Sequence, residues 1–335
     1  MVRGLNQLAE YSGSLDVFLA GASGTIGRAT AQALVDAGHR VICFVRSGAD
    51  VSSLPPQADI RIGQLSDPSS IAQQGFRDDR FDAVISCVAS RTGVPNDAWA
   101  IDHKANMVLL EQARASHVDR FIMLSAICVQ KPRLAFQHAK LTFEAALMES
   151  DLDWTIVRPT AFFKSLSGQV ARVMAGKPYL VFGDGKVTSC KPISDRDLGR
   201  YLAQCLVDPE TSKRVLPIGG PGPAITPLDQ AHHLFQLLGQ SPRIRHVPLA
   251  LMDVITGALG TGAVLLPGLT TKAELARIGR YYATESMLLL DPETGNYSSE
   301  ATPSFGEDTL FDYYATLVRG DAAAERGAHA VFGTT

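Results

Sequence analysis

The 335-residue sequence predicts an α/β fold in which a doubly wound parallel sheet is followed by a smaller C-terminal part. Short, almost continuously apolar segments alternate with helical patterns up to Pro159. Such segments form parallel sheets that helices cover on both faces. After Pro159, clusters of glycine and proline interrupt the alternation, which marks a second part. With 46% hydrophobic and 19% charged residues, the composition is that of a globular protein.

Each predicted strand is a short apolar run, and each predicted helix carries apolar residues at helical spacing. Strands are predicted at 16–20, 41–45, 59–62, 82–88, 120–124 and 154–157. Helices are predicted between them at 25–37, 69–76, 99–116 and 135–149. The second part is predicted to contain helices at 195–206, 228–238, 249–259, 272–284 and 308–319, and a strand at 214–218 that returns to the main sheet. We expect an N-terminal extension at 1–14, structured parts at 15–160 and 161–320, and a flexible tail at 321–335.

Charge and cysteine usage exclude several classes of protein. A net charge of -3 gives no basis for binding nucleic acid. The five cysteines form no Cys-x-x-Cys pair and the eight histidines form no cluster, so we expect reduced thiols and no metal site. The apolar stretch 249–266 is interrupted by glycines and contains Asp253, which is costly in lipid. It predicts a buried or cleft-lining helix and no transmembrane span, and it leaves peripheral membrane contact open.

A glycine pattern joins the first predicted strand to the first helix. It reads Gly21-x-x-Gly24-x-x-Gly27, which allows a tight turn, close approach of a pyrophosphate and close packing of helix on strand. The anion would sit on the free N–H groups at the helix N-terminus. The pattern predicts a Rossmann-type dinucleotide site at 15–160 whose loop contacts come from Gly21, Ser23, Gly24, Thr25, Ile26 and Gly27.

The second predicted strand ends in Arg46 and Ser47, where an NAD enzyme usually has an acidic residue for the ribose. A guanidinium suits a 2′-phosphate, so Arg46 predicts NADPH as the cofactor. Leu65 is expected to flank the adenine. Cys87 and Ala89 follow the fourth strand and are expected to line the cofactor, because ligands bind at the carboxyl ends of such strands.

Phe136 and Lys140 lie four residues apart in a predicted helix and therefore on one helical face. Many nicotinamide enzymes have a tyrosine and a lysine at this spacing, the tyrosine as proton donor and the lysine on the ribose. Here phenylalanine replaces the acid. Either the chain does no redox chemistry, or its chemistry needs no acid at that position. Because the rest of the cofactor pattern is present, we predict Lys140 as the catalytic residue and a ligand of the nicotinamide ribose.

Together with Asn106, Lys140 and the segment 154–159, the glycine loop resembles the atypical short-chain dehydrogenase/reductases of the NmrA-like type. In that group the residues that end this segment close over the nicotinamide. The resemblance implies that Pro159, Ala161 and Phe162 contact the cofactor.

Four longer stretches, at 124–132, 177–185, 277–295 and 302–306, resemble the divinyl chlorophyllide a 8-vinyl reductases. This resemblance implies an NADPH-dependent oxidoreductase of chlorophyll or bacteriochlorophyll biosynthesis. The substrate would be a magnesium tetrapyrrole, divinyl chlorophyllide a or divinyl protochlorophyllide a, whose C8 vinyl group becomes ethyl. The first 14 residues lack the apolar core of a signal peptide and are short for a plastid transit peptide. We therefore expect a cytoplasmic protein of a photosynthetic bacterium, with or without membrane association.

Reduction of a conjugated vinyl group explains the missing acid, because the charge spreads into the macrocycle instead of onto one oxygen. Phe136, Phe163, Tyr281 and Tyr282 are expected to form the substrate pocket, with a tyrosine, His138 or water as proton source. A cation for the substrate propionate is expected among Lys164, Arg172, Lys177 and Lys191. Three alternatives share the cofactor pattern: a reductase of another conjugated alkene, a non-catalytic NADP(H) sensor, and a scaffold for pigment complexes.

Overall fold

A parallel sheet forms the centre of the protein. The computed structural model describes residues 13–321, so most of the expected extension at 1–14 and tail at 321–335 lies outside the described residues. The strands of the described part are β1 (Asp16–Ala20), β2 (Arg40–Val45), β3 (Asp59–Ile62), β4 (Ala83–Ser86), β5 (Arg120–Leu124), β6 (Asp153–Pro159), β7 (Tyr179–Phe182), β8 (Arg214–Ile218), β9 (Ile244–Val247), β10 (Leu289–Leu290) and β11 (Tyr297–Ser298).

Seven strands form the main sheet in the order β3-β2-β1-β4-β5-β6-β8, and all their pairings are parallel. The predicted α/β fold with a doubly wound parallel sheet is therefore confirmed. The predicted strand at 214–218 pairs with β6 at the sheet edge. The strand order reverses between β1 and β4, which is where ligands bind in open sheets of this kind.

Helices cover both faces of the sheet. The helices of the described part are α1 (Thr25–Asp36), α2 (Pro68–Ser70), α3 (Pro95–Ala98), α4 (Asn106–Ala115), α5 (Ala135–Met148), α6 (Phe163–Leu166), α7 (Val170–Met174), α8 (Asp195–Val207), α9 (Pro227–Leu237), α10 (Leu249–Leu265), α11 (Thr270–Thr284) and α12 (Leu310–Arg319). Two turns of π-helix, Ile71–Phe76 and Trp99–Ala105, follow α2 and α3 directly.

Alternation along β1 separates two hydrophobic cores. Val17 and Leu19 point to the face that α1 and α8 cover, whereas Phe18 and Ala20 point to the opposite face. Because successive side chains of a strand face opposite sides, a strand that is apolar at every position must be covered twice. The apolar runs that predicted the fold are thus explained by burial on both faces.

The second part has its own core, built where α7, α9 and α12 pack on β7. β7 and β9 form a separate parallel pair, and both were missing from the sequence-based prediction, as were α6 and α7. These elements are four or five residues long. Segments of that length show too few periods for helix and strand patterns to be told apart.

The stretch 249–266 corrects one prediction. It forms α10 as predicted, but the helix packs mainly against α11 and does not line a cleft. Leu251, Val254 and Ile255 are 48%, 67% and 39% exposed. Among the residues described, no helix combines the length and the apolar character needed to cross a bilayer.

Candidate functional site

The glycine loop between β1 and α1 has a geometry that only glycine satisfies. Gly21 has a φ of +77°, and a Cβ there would lie 2.7 Å from the carbonyl carbon of Cys87. A Cβ on Gly27 would lie 2.1 Å from the Gly21 oxygen. Gly24 caps α1 without a side-chain hydrogen bond, so N–H groups of the first turn have no side-chain partner. This cradle fits a pyrophosphate bound at the positive end of the helix.

The adenosine side of the expected site lies at the carboxyl edge of β2. Arg46 and Ser47 directly follow that strand and are exposed. Leu65 is half-buried and packs against the hydrophobic core on the face of the sheet that contains Phe18. This arrangement leaves the Arg46 guanidinium accessible to a phosphate at the strand end.

Cys87 follows β4, directly beside the glycine loop. Its thiol lies 3.8 Å from the hydroxyl of Thr30, and burial raises its pKa to about 12. The thiol therefore stays protonated at neutral pH and offers no nucleophile.

A cavity of about 370 Å³ opens at the carboxyl ends of β4, β5 and β6 and extends into the second part. Seven of the predicted residues line it: Ala89, Phe136, Lys140, Pro159, Ala161, Phe162 and Tyr282. The opposite wall comes from segments 165–169, 179–190, 225–230 and 279–287. The cavity thus joins the carboxyl edge of the sheet to the part of the chain that follows Pro159.

Lys140 is the only Lys, Arg or His side chain among the described residues that line this cavity. It is buried, and its ammonium forms an ion pair of 3.0 Å with Asp102, which is 1% exposed. Asp102 Oδ1 also accepts a hydrogen bond from the backbone N–H of Ser90 at 3.3 Å. Sequence reasoning missed Asp102, although an acidic residue four positions before Asn106 in a predicted helix offered a signal.

Ser125 follows β5 and lines the cavity near Lys140. Its hydroxyl donates to the fully buried carboxylate of Glu144, which also pairs with Arg158. Because this hydroxyl proton is already engaged, Ser125 presents only acceptor lone pairs to the cavity.

Two predicted pocket residues lie behind the cavity wall. Tyr281 turns its hydroxyl away and donates to the backbone oxygen of Cys128 at 2.9 Å. Phe163, the first residue of α6, packs in the core of the second part with its ring 5.7 Å from that of Tyr313. Neither residue lines the cavity, because each side chain packs into a hydrophobic cluster with residues of other elements.

The candidate proton donors differ in how they are placed. Tyr282 lines the cavity, but burial holds the pKa of its hydroxyl well above the usual range, so it is a weak acid. His138 is exposed on α5 and lies outside the lining. Of the residues on α5, Phe136 and Lys140 line the cavity, whereas His138 does not.

The basic residues considered for the substrate propionate lie outside the cavity lining. The Lys164 ammonium lies 3.1 Å from the Thr25 hydroxyl at the start of α1, which is the phosphate end of the site. Arg172 donates to the Pro178 oxygen, and the buried Lys191 donates to the Thr302 oxygen. Lys177 is exposed. Among the residues described there is also no His, Cys, Asp and Glu group able to hold a metal ion.

Comparison with known proteins relates the chain to a family of nicotinamide enzymes. Residues 21–209 match the family model for NAD(P)H-binding proteins. The chain is 45% identical over 332 residues to the chloroplastic divinyl chlorophyllide a 8-vinyl-reductase of Zea mays, covering 94% of this chain and 82% of that protein. The corresponding protein of Arabidopsis thaliana is 44% identical over 333 residues, covering 93% of this chain and 79% of that protein.

Among solved structures, the NADPH-dependent quinone oxidoreductase of Escherichia coli, complexed with NADPH, superposes with a TM-score of 0.64. The match covers 90% of this chain and 99% of that chain at 16% sequence identity, which supports the fold alone. The sequence matches extend over nearly the whole chain, including the second part. The chain therefore belongs to the divinyl chlorophyllide a 8-vinyl reductase family.

Proposed function

We propose that the protein uses NADPH to reduce the C8 vinyl group of divinyl chlorophyllide a or divinyl protochlorophyllide a to ethyl. One observation carries the proposal: a largely apolar cavity meets the cofactor edge of the sheet at Phe136 and Lys140, in a chain that belongs to this family. In this proposal residues 15–160 hold the cofactor and residues 161–320 supply the substrate wall.

The lining suits a planar, apolar substrate. Phe136 presents an aromatic ring where related reductases place a proton donor, so it packs on the substrate and donates nothing. The bound cofactor would supply a hydride for the terminal vinyl carbon. Lys140 lines the same wall of the cavity, and in this proposal it donates the proton that the inner vinyl carbon needs. A strong acid is unnecessary because the macrocycle delocalises the developing charge.

The cofactor is NADPH rather than NADH in this proposal. Arg46 is exposed at the end of β2, where it can pair with a 2′-phosphate. Lys164 beside Thr25 adds positive charge at the phosphate end of the loop.

A direct assay tests the proposed reaction. Purified protein is incubated with NADPH and divinyl chlorophyllide a, and the pigments are separated by chromatography. We expect the monovinyl product together with stoichiometric oxidation of NADPH. Tight NADPH binding without turnover of either tetrapyrrole would reject the reaction and support an NADP(H) sensor.

The exposed face of α10 is the second part of this proposal. Leu251, Val254 and Ile255 form an apolar stripe, because residues three and four apart share a helical face. Helix α10 itself carries no Lys or Arg, but Arg243, Arg245 and Lys272 in the segments that flank it along the chain are exposed. We infer that this face contacts an anionic lipid bilayer peripherally, with the apolar stripe buried in the bilayer and the flanking basic residues near the headgroups.

Vesicle sedimentation tests the membrane contact. We expect binding to phosphatidylglycerol vesicles, weaker binding to phosphatidylcholine vesicles, and a loss of binding in Val254→Gln. The matched control is Met148→Gln, because Met148 is 40% exposed at the end of α5, away from this stripe. A concentration-dependent dimer that Val254→Gln dissociates, without any vesicle binding, would assign the face to a second copy of the chain.

A further inference from the structure

We propose that Asp102 binds the cofactor directly, with its carboxylate Oδ2 accepting a hydrogen bond from a hydroxyl of the nicotinamide ribose. Together with Lys140 it would clamp the ribose diol from one wall. This inference rests on the proposed function in requiring a nicotinamide cofactor, but it does not depend on which substrate is reduced.

The two oxygens of Asp102 have different surroundings. Oδ1 forms an ion pair with Lys140 Nζ at 3.0 Å and accepts a hydrogen bond from the Ser90 backbone N–H at 3.3 Å. Oδ2 is buried and has no hydrogen-bond partner among the described residues. A buried carboxylate oxygen needs a donor, because desolvation without a hydrogen bond is unfavourable. Since Asp102 lines the cavity, a ligand can supply that donor.

Asp102 is held rigidly in this orientation. It lies in the π-helical turn Trp99–Ala105, and turns of this kind are frequent at functional sites. The Asn106 amide donates to the backbone oxygens of Ile101 and Asp102 at 3.2 and 3.1 Å. Asn106 Oδ1 in turn accepts from the Ser86 hydroxyl on β4 at 2.5 Å. The widened turn is therefore tied to the sheet at the edge where the cofactor lies.

The donor that Asp102 Oδ2 requires is best supplied by one hydroxyl of a diol. An ammonium beside a carboxylate oxygen offers one donor and one acceptor, which matches two neighbouring hydroxyl groups. The site lies at the carboxyl ends of β4 and β5, two strands from the Arg46 end of the sheet. A dinucleotide whose pyrophosphate occupies the glycine loop spans this distance, with its second ribose beside β4.

Equilibrium binding to two ligands tests the proposal. The Asp102→Asn variant is titrated with NADPH and with adenosine 2′,5′-bisphosphate, which lacks the nicotinamide ribose. We expect the Kd for NADPH to rise roughly tenfold, as for the loss of a charged hydrogen bond. The Kd for the bisphosphate should stay within about twofold of wild type, because its contacts lie at the other end of the site.

Two further variants separate direct contact from a structural effect. Asp97→Asn is the control: this carboxylate accepts hydrogen bonds from Thr92 and does not line the cavity. Its NADPH affinity should therefore not change. Lys140→Met with Asp102→Asn removes the partner charge as well and leaves no unpaired ammonium. NADPH binding weaker in the double variant than in Lys140→Met supports direct contact.

Three results would overturn the inference. The first is an equal rise in the Kd for both ligands in Asp102→Asn, and the second is an unchanged Kd for NADPH in that variant. The third is a Kd for NADPH that is the same in the double variant as in Lys140→Met. Wild-type protein that binds NADPH tightly but reduces no tetrapyrrole would reject the proposed function and leave this inference standing.

Discussion

Phe136 and Lys140 lie one turn apart on α5, and both line the cavity. Their spacing alone predicted that they share a helical face. The residue that completes this group, Asp102, lies 38 positions earlier in the chain and pairs with Lys140 across the cavity wall. This wall of the cavity thus combines an ion pair with an aromatic ring.

Lys140 tests the catalytic assignment. We expect Lys140→Met to lower the rate of vinyl reduction at least about 100-fold, because it removes both a ribose contact and the proton carried at the wall. Lys177→Met is the matched control, since Lys177 is exposed and outside the lining, and its rate should equal wild type. Steady-state kinetics with NADPH provide the measurement. Full activity of Lys140→Met would contradict the assignment.

Arg46 tests the choice of cofactor. We expect Arg46→Asp to weaken NADPH binding about 10- to 100-fold, because a charged hydrogen bond is replaced by repulsion. NADH binding should be unchanged or stronger, since a carboxylate suits the free ribose hydroxyls. Fluorescence titration of both nucleotides measures the ratio. If Arg46→Asp weakens the binding of NADPH and NADH equally, Arg46 does not contact the 2′-phosphate.

At the scale of elements, the junction of β1 and α1 was predictable because all its determinants are local. The predicted strands 16–20, 41–45, 59–62, 120–124 and 154–157 agree with the structure to within two residues. The exposure of α10 was not predictable, because its composition is that of a buried helix. Whether such a helix is covered depends on which other elements reach it, and here that is chiefly α11.

Gly27 tests the packing of this junction. We expect Gly27→Ala to lower the free energy of unfolding by about 1–3 kcal/mol and to weaken NADPH binding, because overpacking displaces the loop backbone. Gly257→Ala in α10 is the control, since a Cβ there meets nothing within 4 Å. That control should bind NADPH normally. Urea unfolding and nucleotide titration measure the two effects. A wild-type Kd for NADPH in Gly27→Ala would contradict the binding of the cofactor pyrophosphate in this loop.

At the scale of the whole molecule, the described cysteines are packing groups. Cys43, Cys87, Cys190 and Cys205 form no disulfide, and burial raises the pKa of each thiol from 9.0 to about 12. The unfolded chain releases these protons at a lower pH than the folded chain does. The stabilisation of the folded state by these buried, protonated thiols is complete below pH 9 and is lost as the pH rises toward 12.

Alkaline pH should therefore unfold the protein. We expect the free energy of unfolding to fall between pH 9 and pH 11, by about 1.4 kcal/mol per pH unit for each buried thiol. Cys205→Ala should be less stable at pH 7 yet show a shallower fall, because one titrating group is gone. Urea unfolding at a series of pH values tests this. A free energy that stays constant up to pH 11 would show that the thiols ionise equally in both states.

The sequence by itself determined the parallel sheet, the glycine cradle and the shared face of Phe136 and Lys140. Each follows from residues close together in the chain, where backbone geometry and side-chain period act directly. Only the tertiary structure decided that Asp102 meets Lys140, that Tyr281 and Phe163 turn away from the cavity, and that α10 is exposed. These outcomes depend on contacts between distant segments, whose relative positions are set by the packing of the whole chain.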